Sequence, residues 1–151
     1  MAANAQAVCN SFKVELLDAK HAFGATVVRG ATTKDTFNGA LYLVNQSYGA
    51  GTTAYSASGE VSSVNYTAGG QAITNATAPT LDGSVAIWTP SANLSWTLVT
   101  FASFDTLLVY NATQSNTAVA VYTFGAQTIT AGNFTMTMPA NAAATALLQL
   151  A

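Results

Sequence analysis

Cys9 and His21 are the single thiol and the single imidazole of this 151-residue chain, and a thiolate beside an imidazole is a pair that nucleophilic catalysis uses. No cysteine-protease signature surrounds them, so they read as a lone thiol and a lone imidazole. Asp18 and His21 could supply two metal ligands, with Cys9 nearby, where zinc takes three or four. Calcium would need backbone carbonyls of the glycine-rich stretch together with Asp82 or Glu60, and the D-x-D-x-D-G spacing of a dedicated loop is absent. Glu60 and Asp105 form the one carboxylate pair that could be nominated to flank a glycosidic bond, yet nothing in the sequence brings them together. Trp88 and Trp96 could stack on a sugar, but tryptophans alternating inside strands are core rings more often. The glycines between Gly49 and Gly70 lack the strand, the G-x-G-x-x-G spacing and the helix of a phosphate cradle. The expectation is a non-enzyme with no catalytic residue, no metal site and no cofactor.

Charge supports that exclusion. From Thr36 to Ala151 there is no lysine, arginine, histidine or cysteine, and Glu60, Asp82 and Asp105 carry the only charges. Charged residues make up 7% of the chain, against roughly 25% in an ordinary domain. The hydrophobic half of the composition is spread in short alternating stretches, so no run reaches the ~18 residues of a spanning helix. A net charge of -2 offers nucleic acid no attractive field. A surface with few ions is instead cheap to desolvate, which favours permanent assembly, including with copies of itself. Lys13, Lys20, Arg29 and Lys34 all lie in the first 35 residues. They are the candidate partner-binding cations, with Glu60, and also Asp82 and Asp105, as the acids they could meet on an adjacent copy. The plainer reading makes the three acids solvated turn residues.

The unpaired cysteine and the absence of a basic and apolar leader at Met1–Gln6 lead to the expectation of synthesis in a reducing cytoplasm. Asn-x-Ser/Thr triplets begin at Asn45, Asn65, Asn75, Asn93, Asn111 and Asn133. Without export they read as by-products of an Asn- and Thr-rich composition.

Strands are expected along most of the chain. Period-two alternation marks Phe12, Val14 and Leu16; a β-branched run covers 26–29; and 37–44 is apolar on both faces, as in a strand buried on both sides. Residues 45–70 read as a glycine-punctuated loop that Tyr48, Tyr55 and Tyr66 pin to the body through ring burial and hydroxyl hydrogen bonds. Further strands are read at 72–74, 84–89, 94–99, 106–110, 119–124, 134–138 and 147–150, with turns at 78–83 and 111–116. A helical turn is allowed at 141–146. One domain of many short strands predicts an all-β antiparallel sandwich, jelly-roll-like, over residues 1–151, with residues 1–10 as an extended arm.

The segments Phe37-Asn38-Gly39-Ala40-Leu41-Tyr42-Leu43, Thr53-Ala54-Tyr55-Ser56, Gly59-Glu60-Val61 and Tyr66-Thr67-Ala68-Gly69-Gly70 resemble small virion proteins of tailed bacteriophages. Val109-Tyr110-Asn111, Ala118-Val119-Ala120-Val121 with Phe124-Gly125, and Asn133-Phe134-Thr135 before Pro139 fit the same group, so the resemblance runs from about Ser11 to Ala151. It implies a structural role in the virion, with no catalytic residue. Capsid decoration or cement proteins, bound to the major capsid protein, are the nearest type; head-fibre, neck or tail components that attach to hosts or bind carbohydrate are the alternative.

Overall fold

The computed structural model describes residues 4–9, 11–12, 16, 20–23, 34–74 and 78–150. Its strands are β1 (Ala7–Val8), β2 (Phe37–Leu43), β3 (Gln71–Ile73), β4 (Thr80–Asp82), β5 (Val85–Trp88), β6 (Leu94–Asn111), β7 (Thr117–Met136) and β8 (Leu148–Leu150). They form two antiparallel sheets, one ordered β1-β7-β6-β2-β3 and the other β4-β5-β8. This meets the all-β sandwich expectation; the finer jelly-roll expectation goes beyond what this strand order defines.

The centre of the larger sheet is the β6–β7 hairpin. Asn111 shapes its turn: its Oδ1 accepts from the backbone amides of Thr113 and Gln114, at 3.1 Å each. Ser115 and Asn116 then take left-handed backbone at φ 53° and 58°, which carries the chain back. β2 lies against β6 from Phe37↔Asn111 to Leu43↔Phe104, and it is largely buried on both faces, as its two apolar faces require. Beyond Phe104 the loop at 61–71 takes over the seam beside β6. Gln71 acts as a surrogate strand there, its amide donating to Ser95 O at 2.6 Å and accepting from Ser95 N at 3.0 Å.

The smaller sheet closes the core through aromatic packing. Trp88 of β5 stands 6.0 Å from the Phe37 ring and 5.0 Å from Phe23, and Leu148 of β8 joins the same buried cluster. Along β6 and β7 the core continues as Phe101, Phe104, Phe124 and Phe134, with Phe104 edge-on to the other three rings at 4.9 to 5.7 Å, a favourable arrangement for aromatic quadrupoles.

Several expectations are corrected. Residues 94–99 and 106–110 belong to one continuous strand, and 119–124 and 134–136 belong to another, which ends before Thr137 and Met138. Ser11, Phe12 and Leu16 have helical backbone, not the strand expected around them. Thr80–Asp82, expected as turn, pairs with β5. At 141–146 a single turn forms, with Ala146 N donating to Ala142 O at 2.8 Å. The strand expected at 26–29 lies outside the described residues. As for the arm, its residues 4–9 lie on the body: Ala7 and Val8 pair with Val121 and Ala120. Asn4 anchors the segment, donating to Asp105 Oδ1 at 2.9 Å and accepting from Tyr48 N at 3.1 Å.

Candidate interaction surface

Glu60 organises the loop that carries the surface. It follows Gly59 and faces Tyr42 across an isolated antiparallel bridge. Its Oε1 accepts from the Tyr66 hydroxyl at 2.6 Å and from Gly69 N at 2.8 Å, and its Oε2 accepts from the Tyr55 hydroxyl at 2.7 Å. Tyr66 also accepts from Leu41 N at 3.1 Å, and Tyr110 donates to Gly69 O at 2.8 Å. The carboxylate and its tyrosines thus tie 55–70 to β2 and β6, the pinning expected of Tyr55 and Tyr66. Tyr48 pins locally, donating to Ser58 O at 2.8 Å.

Burial, followed by the hydrogen bond to Glu60, pushes the Tyr55 and Tyr66 hydroxyls well above the usual phenol range. Burial foremost also raises Tyr42, Tyr48, Tyr110 and Tyr122, so all six tyrosines of the chain share the direction. An unfolded tyrosine releases its proton near pH 10 while its folded counterpart keeps it. Stability is therefore full below about pH 10 and falls as pH rises above it, by up to ~1.4 kcal/mol per pH unit for each buried tyrosine. In an alkaline titration, phenolate absorbance should rise together with the loss of β-structure signal; phenolate appearing while the fold stays intact would refute this.

The other singled-out residues fall in separate places. Lys20 and Lys34 are exposed, and Lys13 and Arg29 lie outside the described residues, as does Asp18. Glu60, expected to face a partner or solvent, has both carboxylate oxygens engaged by its own chain. Asp105 accepts from Asn4 and from Thr106 Oγ1 at 2.7 Å, and Asp82 from Ala143 N at 2.7 Å. The nominated Glu60–Asp105 pair is thus split between two networks. Cys9 is buried, with Sγ 3.9 Å from Gly49 O. His21 packs between Phe12 and Phe37, with Nδ1 2.9 Å from Asn111 Nδ2. That amide also donates to the buried Asp35 carboxylate at 2.8 Å. Its oxygen is committed to the turn, so the imidazole Nδ1 acts as the acceptor. Trp88 and Trp96 are 2% and 3% exposed, which removes them as a sugar-stacking platform. Among the described residues no three His, Cys, Asp or Glu side chains gather as a metal site, and no helix is long and apolar enough to cross a membrane.

What this part of the surface presents is uncharged, with apolar patches among polar residues. Residues 106–151 contain no charged side chain, and β7 is exposed or half-buried from Tyr122 to Met136. Beside it lies a cleft of about 570 Å³ whose lining includes Val8, Phe124, Met136, Met138 and Leu147. At another place the loop 61–67 meets a bulge in β6, where Val64 and Leu98 are 100% and 69% exposed. Leu98 has left-handed backbone at φ 52°. Asn133 accepts from its N–H at 3.0 Å and Asn65 donates to its carbonyl at 3.0 Å. Sequence reasoning missed this tip; its one visible trace was the pair of Asn-x-Thr triplets at Asn65 and Asn133, whose amides clamp backbone here.

Comparison with protein-family models finds no match to this chain, and comparisons with curated proteins and with solved structures find none either.

Proposed function

We propose that this chain is a bacteriophage virion structural protein without enzymatic activity. It decorates the outside of the capsid lattice as a cement subunit, bound to the major capsid protein and to copies of itself after synthesis in the bacterial host. The observation that supports this reading most is the uncharged outer surface of residues 106–151, which includes the exposed β7 and its apolar cleft. Covering such a surface strips few ions of water, so many weak contacts repeated by symmetry can hold it permanently.

A cement subunit stabilises a shell by binding the assembled lattice and not its separate parts, contributing about 2.7 kcal/mol per site at a hundredfold excess over the dissociation constant. Particles assembled without this protein should release their DNA at lower temperature than complete particles and still adsorb to cells. Unchanged shell stability combined with lost adsorption would overturn the cement role in favour of an attachment module on a fibre, neck or tail.

A further inference from the structure

Leu98 combines three properties that rarely coincide. Left-handed backbone is unfavourable for a non-glycine residue, and Leu98 adopts it at φ 52°. The side chain gains little burial in return, being 69% exposed. Two asparagines from different segments, Asn65 and Asn133, nevertheless hold its N–H and carbonyl in that conformation. The neighbouring backbone is stapled as well: Ser63 Oγ accepts from Thr100 N, and Thr100 Oγ1 accepts from Ala131 N, at 3.0 Å each. Ala131 itself has φ 46°. A strained backbone fixed by its surroundings, with an apolar side chain aimed outward, is the geometry of display. Val64, next to Asn65 and fully exposed, enlarges the knob.

The knob's surroundings define what can receive it. Residues 61–68, 92–104 and 125–138 contain no charged side chain, so a socket with charged walls would lose hydration without gaining an ion pair. The same chain carries a socket of the required kind. The cleft beside β7 is uncharged, is about 570 Å³ in volume, and includes Met136 and Met138 in its lining. Methionine is the side chain most able to adapt its shape to an incoming apolar group.

We infer that the Leu98–Val64 tip of one copy seats in the Met136–Met138 cleft of a second copy, a heterologous knob-in-socket contact. This deepens the self-binding part of the proposed role and is tested on the isolated protein, apart from any capsid.

Sedimentation across a concentration series should show association for the wild type and at least about tenfold weaker association for Leu98→Asp. Leu98→Gly separates this from misfolding: glycine accepts the left-handed backbone, so its thermal midpoint should match or exceed the wild type while association weakens. Cysteines placed as Leu98→Cys and Met138→Cys in separate preparations should form disulfide-linked dimers faster when mixed than either does alone. A wild type that stays monomeric throughout, association unchanged in both Leu98 variants, or Leu98→Cys linking to itself as fast as to Met138→Cys would each overturn the inference. Binding to shells lacking the protein is scored separately: a self-association defect with shell binding intact leaves the capsid role standing.

Discussion

Gly70→Ala is expected to cost at least about 4 kcal/mol, enough to remove most of a typical domain's stability, while Gly83→Ala costs only about 1 kcal/mol. Both glycines have left-handed backbone, at φ +72° and +63°, so both substitutions carry the same conformational penalty. They differ in what a methyl group would meet. At Gly83 nothing lies within 4 Å. At Gly70 an added Cβ would stand 1.9 Å from Gly39 O, 2.6 Å from Gly39 C and 2.8 Å from Ala40 Cα. All three are backbone atoms of β2, the strand that pairs with both β3 and β6. No rotamer change relieves that overlap, so the loop must lift from the sheet or β2 must move within it. Urea denaturation of the two variants checks this directly. Similar small losses would mean that the loop does not wedge against β2 as described.

The next largest effect belongs to Glu60. Glu60→Ala leaves the Tyr55 hydroxyl, the Tyr66 hydroxyl and Gly69 N without their acceptor, and Tyr66 is 8% exposed, too covered for water to substitute easily. Stranded buried donors cost about 1–3 kcal/mol each, less than additively when they share one site, so a loss of about 3 kcal/mol is expected. Glu60→Gln keeps the shape and one acceptor oxygen but replaces the other with an amide donor, so a tyrosine hydroxyl loses its acceptor and must turn to accept instead. About half of that loss should follow. Equilibrium unfolding gives both values, and hydrogen exchange at Gly69 should accelerate in each. A wild-type-like Glu60→Ala would reduce the hub to a surface ornament.

The sequence signal was clear where apolar residues fall on both faces of a short run, as at 37–43 and 106–110, and these form the regular pairing at the centre. It failed between 100 and 105 for a specific reason. Phe101 and Phe104 are both buried although three residues apart, a spacing a regular strand cannot put on one face. Register shifts on each side of Phe104 realign them, and a bulge of this kind erases alternation exactly where the strand continues. In β7 the stretch from Gly125 to Asn133 lacked a signal because most of it is exposed, so no face selects apolar residues. The tyrosines' pinning role was legible from their place in a glycine-rich loop. The acceptor was not: Glu60 read as a partner or solvent residue because nothing local marks a carboxylate whose ligands come from five and six residues away and from the turn at Gly69. Leu98 was hidden for the same reason, since its two clamps lie 33 and 35 residues distant.

Those clamps belong to a wider habit. Asn4, Asn65, Gln71, Asn93, Asn111 and Asn133 all bond backbone at places where strand pairing is irregular or ends. A carboxamide neither gains nor loses a proton in the biological range and has no net charge for salt to screen. The fastenings at this protein's margins should therefore hold with the same strength in dilute buffer, in brine and in mild acid. That indifference is compatible with the proposed virion role, in which the surrounding medium is not controlled by a cell. The tyrosine hydroxyls set the opposite boundary, which leaves strong alkali as the condition this architecture is least equipped to withstand.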